Sequence, residues 1–178
     1  MPIEIVYETH STSEDNERGV ASGWAHGCLS AVGREQARAL GARRRDDGIE
    51  AVFSSDLRRA VETADIAFAR SSVPVFLDWR LRECDYGRDT RAPVERHHAE
   101  RCKHVDVPYP NGESWAQAVD RVGRILDDLT LRWTGSRVLL IGHVATRWAL
   151  DHLINSIALT DLCAADFAWQ EGWEYRLA

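Results

Sequence analysis

The chain has 178 residues, 44% of them hydrophobic and 28% charged, which suits one well-filled globular domain over residues 1–178 and is short for two. A net charge of −6 gives no general pull toward nucleic acid or an anionic membrane. No apolar run approaches the roughly 20 residues of a membrane helix. The opening Met1-Pro-Ile-Glu-Ile-Val-Tyr7 has no basic head followed by an apolar stretch, so no signal peptide is expected and the cytoplasm is the expected address. Cys28, Cys84, Cys102 and Cys163 lack paired spacing and read as free thiols of a reducing compartment. Of the 22 basic residues only Lys103 is a lysine, so an anion site must be built from guanidinium forks.

In chain order, Ile3–Tyr7 predicts a short strand, followed by a polar loop from His10 to Asn16. Ser30 is a good N-cap for a helix through Ala37 and Leu40, ending in the run Arg43–Asp47 with Gly48 as its stop. That run reads as a solvated helix end. Ala51–Phe53 is a second strand. Ser54 or Ser55 then caps a helix with Leu57, Ala60, Val61, Ala64 and Phe68 on one face. Val73–Trp79 is a third strand. Residues 80–113 carry three of the five prolines and read as a variable, partly helical loop or cap region. A long helix follows from about Ser114 to Trp133, then a buried-type strand Arg137–Ile141 and an amphipathic helix Val144–Ile157. The tail from Phe167 to Leu177 reads as a strand or hairpin around Gly172. Strands alternating with helices predict an α/β fold, a three-layer sandwich around a mainly parallel sheet.

Ligands collect at the carboxyl ends of strands in such sheets. His10 follows the first strand, His143 follows Val138–Ile141, and Ser54–Arg59 follows the second strand. Two histidines and an arginine therefore share one potential rim. Arg59 falls in the first turn of its helix, where a cation is disfavoured unless an anion is near.

These stretches resemble the histidine phosphatase superfamily, the phosphoglycerate mutase-like or two-histidine phosphatases. His10-Ser-Thr-Ser-Glu-Asp-Asn16 is similar to the family's opening motif, and Leu29-Ser30, Gly33 and Ala37 fit the segment after it. Ser54-Ser-Asp-Leu-Arg-Arg-Ala-Val-Glu-Thr-Ala64 resembles its second block closely. Leu81-Arg-Glu83, Pro110-Asn-Gly-Glu-Ser114 and Leu140-Ile-Gly-His143 fit later blocks in order. The resemblance implies a phosphoglycerate mutase-like fold and hydrolysis of a small phosphorylated metabolite through a phosphohistidine on His10. Arg59 and His143 would stabilise the phosphoryl oxygens, and Glu83 would serve as acid and base. Thr9, Asn16, Ser22, Gly23, Arg59 and Val144 are the expected phosphate or substrate contacts. No metal or cofactor is expected, the substrate is the expected partner, and a homodimer is one assembly the sequence permits. A mutase that returns the phosphoryl group to another hydroxyl, and a weakened phosphate-binding relative, are the alternatives. The compact chain favours hydrolysis.

Two departures stand out. Thr9 occupies the position where the family places an arginine before its first histidine, with Arg82 or Arg147 as candidate substitutes. Val144-Ala-Thr-Arg147 follows the second histidine, where the family usually has glycines. Other motifs read more simply. Cys28-x5-Arg34 matches the spacing of thiol phosphatases but lacks a preceding buried strand. His98 and Cys102 would share one helical face, enough for a chance zinc site, although a polar surface helix or cap is the simpler reading. Trp24 is the candidate substrate-facing aromatic.

Overall fold

In the computed structural model, which describes residues 1–178, alternation along the central strands decides the layering. The elements in chain order are β1 (Ile3–Thr9), α1 (Glu14–Glu17), α2 (Ala31–Arg44), β2 (Ala51–Ser54), α3 (Arg58–Phe68), β3 (Val75–Leu77), α4 (Val94–Glu100), α5 (Trp115–Arg132), β4 (Arg137–Gly142), α6 (Val144–Leu153), α7 (Leu159–Ala164) and β5 (Trp173–Leu177). The sheet order is β3-β2-β4-β1-β5. Four strands run parallel and β5 closes antiparallel on β1. Side chains alternate between sheet faces. Val6, Val52, Leu139 and Ile141 accordingly pack with Leu40, Ala60, Ala64 and Phe68 of α2 and α3. Ile3, Ile5, Tyr7, Val138 and Leu140 pack on the other side against Val122, Ile125, Leu126 and Trp148 of α5 and α6. The expected α/β/α sandwich around a mainly parallel sheet is what forms, and no helix is long and apolar enough to cross a membrane.

Several expectations are corrected. The third strand shrinks to Val75–Leu77, an exposed sheet edge. The tail is not a hairpin, because only Trp173–Leu177 pairs and α7 forms ahead of it. Ser54 and Ser55 do not cap α3: its cap residue is Leu57, with no side-chain cap bond, and Ser55 Oγ instead accepts from Leu57 N and faces His143. The run at the end of α2 is not simply solvated. Arg43 donates to Glu8 at 2.9 and 3.1 Å and Arg44 at 2.8 Å, holding a carboxylate that is only 1% exposed. A buried carboxylate is retained only when paired.

The cysteines are not all free. Cys102 and Cys163 form a disulfide across 61 positions, while Cys28 and Cys84 remain thiols. The bond ties the 3-10 turn after α4 to α7, and it takes Cys102 out of any metal site with His98. It also removes the thiol argument for a reducing compartment. Alkylation of the denatured protein should count two thiols before reduction and four after it. Closing a loop of this length is worth about 4 kcal/mol on the chain-entropy account. Denaturant titration should therefore show a stability loss of that order on reduction, with no loss if the pair is absent.

Candidate active site

The carboxyl ends of the parallel strands converge. His10 follows β1, with its backbone N–H held by Gly142 O at 3.0 Å. Ser55 follows β2, the turn carrying Glu83 follows β3, and His143 follows β4. The expected catalytic and phosphate-contact residues Thr9, His10, Asn16, Ser22, Gly23, Arg59, Glu83, His143 and Val144 all line one cavity of about 800 Å³. That volume is within the usual range for small-molecule sites.

Arg59 organises the centre. It is 3% exposed and leaves the first turn of α3 to lie between the two imidazoles. Its Nε donates to His10 Nε2 at 3.2 Å, and its Nη2 lies 3.3 Å from His143 Nδ1. The remaining N–H groups donate to the carbonyls of Gly23 at 2.9 Å and Ala25 at 3.3 Å. Gly23 adopts φ +50°, and a Cβ there would meet the Tyr86 ring at 3.0 Å, so this approach of backbone to guanidinium needs glycine. Behind Arg59, Thr63 Oγ1 donates to the Arg59 carbonyl at 2.7 Å and accepts from Ser11 N at 3.0 Å, locking α3 to the His10 loop.

The hydrogen bonds assign both tautomers. His10 Nδ1 lies 2.7 Å from Ser11 O, which can only accept, so Nδ1 carries the proton. Nε2 is left with its lone pair, which accepts from Arg59 Nε. Guanidinium can only donate, so His143 Nδ1 is the acceptor and its Nε2–H donates to Ser55 Oγ at 2.9 Å. Tyr7 O–H holds the His143 carbonyl at 2.6 Å. Burial, reinforced by the Arg59 charge, lowers the His10 pKa to about 3 and that of His143 well below its ordinary value. Both rings are neutral near pH 7, with centroids 4.9 Å apart.

Glu83 is 8% exposed. Burial raises its pKa against the pull of three backbone donors and Arg59. Those donors are Cys84 N at 2.9 Å, Ala145 N at 3.0 Å and Val144 N at 3.3 Å. The first amides of α6 thus serve Glu83, and Val144, expected as a phosphate contact, lines the cavity with its N–H already engaged. From α5, Arg121 fixes the Glu83 turn by donating to the carbonyls of Arg80, Arg82 and Glu83 at 2.7–3.1 Å while paired with Glu113 at 2.7 Å.

Two expectations fail here. Neither proposed replacement for the missing arginine borders the cavity. Arg82 forms a bidentate pair with Asp56 at 2.7 Å and lies over Trp24, while Arg147 pairs with Asp151 at 3.2 Å and lies over Trp173. Trp24 is no substrate-facing ring either. It donates from Nε1 to Glu83 O at 2.6 Å under Arg82 and Arg121. Ser22 donates to the buried Asp15 at 2.9 Å, and Asn16 Oδ1 is held by Ser13, so both shape the loop that borders the cavity. Cys28 is outside the cavity, and Arg34 is paired with Glu62 at 2.8 Å, which leaves no thiol-based phosphate cradle. Sequence reasoning missed Ser55, Thr63, Tyr86 and Arg43. Only Ser55 and Thr63 sat in a motif that could have signalled them.

The chain matches the family model of the histidine phosphatase superfamily (branch 1) over residues 9–165. It is 30% identical to phosphoglycerate mutase of Candida albicans over 164 residues, covering 83% of this chain and 66% of that protein. It is 32% identical to the probable phosphoglycerate mutase GpmB of Salmonella typhi over 149 residues, covering 79% and 69%. The chain thus spans only about two thirds of the length of these curated relatives. Among solved structures, Bacillus stearothermophilus YhfR superposes with a TM-score of 0.83 at 23% identity, covering 95% of this chain and 88% of that one. The mycobacterial glucosyl-3-phosphoglycerate phosphatase with VO3 gives 0.80 at 23%, covering 92% and 87%. These two likenesses bear on the fold.

Since Arg82 and Arg147 are held elsewhere, the cavity is one fork short beside Thr9. A charge-assisted hydrogen bond is worth about 1.5–3 kcal/mol, or one to two decades in affinity. Thr9→Arg should tighten phosphate or vanadate inhibition by about that factor, while Arg82→Ala and Arg147→Ala should leave it within about twofold. A large loss on removing either arginine would show that it does reach the anion.

Proposed function

The chain belongs to the histidine phosphatase superfamily, and from that premise we propose that it hydrolyses a small phosphomonoester through a phosphohistidine on His10. The observation that carries the proposal is the Arg59 guanidinium in contact with His10 Nε2 and His143 Nδ1 at once. This arrangement holds an unprotonated nitrogen and a fixed positive charge side by side, and an arriving phosphoryl group takes the place of the contact between Arg59 Nε and His10 Nε2. A phosphoryl group there has its phosphorus before His10 Nε2 and its equatorial oxygens toward Arg59 and His143.

In the first step the Nε2 lone pair forms the N–P bond as the P–O bond to the leaving alcohol breaks, and Glu83 passes its proton to the departing oxygen. In the second step Glu83, now a carboxylate, takes a proton from water. The water oxygen bonds to phosphorus, the N–P bond breaks, and phosphate leaves. The raised pKa of Glu83 and its position 3.0 Å from Ala145 N, at the start of the His143 helix, suit an acid that must hold a proton and then recover it. The electrostatics come from Arg59 and the imidazoles, and no step is assigned to a metal. The cytoplasm is the proposed location. The curated relatives favour a second reading, transfer of the same phosphoryl group to another hydroxyl of the substrate, and product analysis with a phosphoglycerate separates the two.

Rapid quench with labelled substrate should trap an acid-labile, base-stable phosphoryl group on His10. His10→Ala should abolish both the adduct and turnover; wild-type turnover in that variant would reject the mechanism.

Glu83→Gln should slow esters of poor leaving groups by about 10²–10⁴-fold and leave an aryl ester of low leaving-group pKa far less affected. Burial keeps Glu83 protonated to higher pH than an ordinary carboxyl. Turnover of the alkyl ester should therefore decline as pH rises through that raised value, and the aryl ester should show no such limb. The low-pH limit from His10 should fall only near pH 3 in the free enzyme. Equal losses for both esters would make Glu83 structural.

A further inference from the structure

The Cys102–Cys163 bond has no part in the chemistry above, yet it joins two walls of the same cavity. Val94, His98 and Arg101, from α4 and the turn after it, border the cavity on one side of the bond. Asp166 and Phe167, just past α7, border it on the other. Both elements are thinly anchored. His97 is the only buried residue of α4, and Cys163 is the only buried residue of α7, whose N-cap Ala158 offers no side-chain cap. Elements with so little buried surface belong to the least stable part of a fold, so a cross-link between them weighs heavily on how firmly they stay in place.

The two ends of the bond differ in access. Cys102 is exposed, between Arg101 and Lys103 in the chain, while Cys163 is 2% exposed. A thiolate arriving from solvent therefore meets Cys102, and neighbouring cations favour the thiolate that exchange leaves there. Opening the bond leaves the region tied. Arg101 spans the same gap from one residue away, with Nε donating to Cys163 O at 2.7 Å and Nη2 to Ala165 O at 2.6 Å. Once reduced, the Cys163 thiol has an acceptor in place, Thr160 O at 3.3 Å from Sγ. A bond backed in this way can open and close in the folded chain. In the cytoplasm proposed above, the disulfides that occur are usually of this transient, redox-responsive kind.

We propose that Cys102 and Cys163 form a site of reversible thiol–disulfide exchange, and that its state sets how tightly the cavity binds substrate. The reacting partner is a small thiol. One thiolate attacks Sγ of Cys102, the S–S bond breaks, and Cys163 leaves as a thiolate that takes up a proton. A second thiolate attacks the partner's sulfur in the mixed disulfide and releases Cys102, which is protonated in turn. Two electrons and two protons have then passed to the protein, and the two thiols are left as their own disulfide. A small-molecule disulfide reverses the sequence. Closed, the bond holds α4 and the segment around α7 together across the cavity; open, it leaves the Arg101 hydrogen bonds to hold them. His10, Arg59, Glu83 and His143 are fixed by Gly142 O, Thr63, Arg121 and Tyr7, apart from both cysteines, so the effect falls on binding and spares the chemical step. That effect on substrate rests on the phosphomonoester reading; the exchange site does not.

The folded protein is equilibrated in glutathione buffers of graded redox ratio, its free thiols are trapped by alkylation and located by mass spectrometry, and hydrogen exchange is followed on the same samples. Cys102 and Cys163 should open and close together and reversibly, with the circular dichroism unchanged. Amides of residues 94–104 and 159–167 should exchange about tenfold faster or more in the reduced form, while those of β1 and β4 are unmoved. On reduction KM for a phosphomonoester should rise about threefold or more, with kcat within about twofold. Cys102→Ser combined with Cys163→Ala should show the exchange and KM of the reduced form in every buffer. A pair that opens only in denaturant is a structural staple and overturns the inference. Amide exchange or KM that does not change on opening, or a redox response that persists in the double variant, overturns it as well. Should the wild-type chain turn over no phosphomonoester, the functional reading fails, while alkylation and hydrogen exchange still decide the redox site.

Discussion

The site depends on a buried positive charge with no carboxylate in direct contact. Arg59 is buried at the junction of β1, β2 and β4, and its contacts are two carbonyls and two imidazoles. Burying a cation costs several kcal/mol unless acceptors replace its water. The fold supplies them by turning Gly23 O and Ala25 O inward and by presenting a lone pair from each histidine. That requirement propagates outward. An imidazole that must accept on the Arg59 side has to place its proton on the other nitrogen, hence Ser11 O beneath His10 and Ser55 Oγ beneath His143. Burial first, and the Arg59 charge second, keep both rings neutral, and neutral is the state a nucleophilic nitrogen requires. A dianion entering the cavity reverses the local field and raises the affinity of His143 for a proton when that proton can hydrogen-bond to the phosphoryl group.

Glu83 is set by an opposite balance. Burial favours its neutral form, while three backbone amides favour the carboxylate. Burial outweighs the amides, so the pKa is raised, while the amides keep the carboxylate accessible, which suits a group that gives up a proton and recovers it. Its turn is held by other arginines. Arg121 reaches three consecutive-region carbonyls from α5, and Arg82 is drawn to Asp56 and stacks on Trp24, which itself bonds Glu83 O. A planar guanidinium can satisfy several acceptors at once where an ammonium offers a point charge. Much of the arginine excess is therefore spent on positioning, with Arg59 left as the cation against both imidazoles.

These two balances explain what the sequence disclosed. The central strands were legible because burial on both faces writes continuous apolar runs such as Val138–Ile141, and α3 and α5 because their stripes keep helical period. His10, Arg59 and His143 were legible because strand ends followed by helices are where ligands bind, and the motif blocks lie there in order. What stayed hidden was set by partners distant in sequence. Arg43 and Arg44 look solvated until Glu8, 35 residues away, needs neutralising. Trp24 looks like a substrate contact until its N–H finds Glu83 O. The Cys102–Cys163 bond joins segments whose proximity no local spacing encodes.

Thr9 in place of arginine fits this electrostatic arrangement better than a simple defect would. A second cation beside His10 would hold a phosphate dianion more tightly, but it would also depress an imidazole pKa that already lies near 3. Less basic nitrogen is a weaker nucleophile, and ground-state affinity that is not increased at the transition state adds nothing to the chemical step. On the proposed mechanism, one guanidinium against both rings gives up some affinity for the reacting phosphate and keeps the His10 nitrogen the better nucleophile.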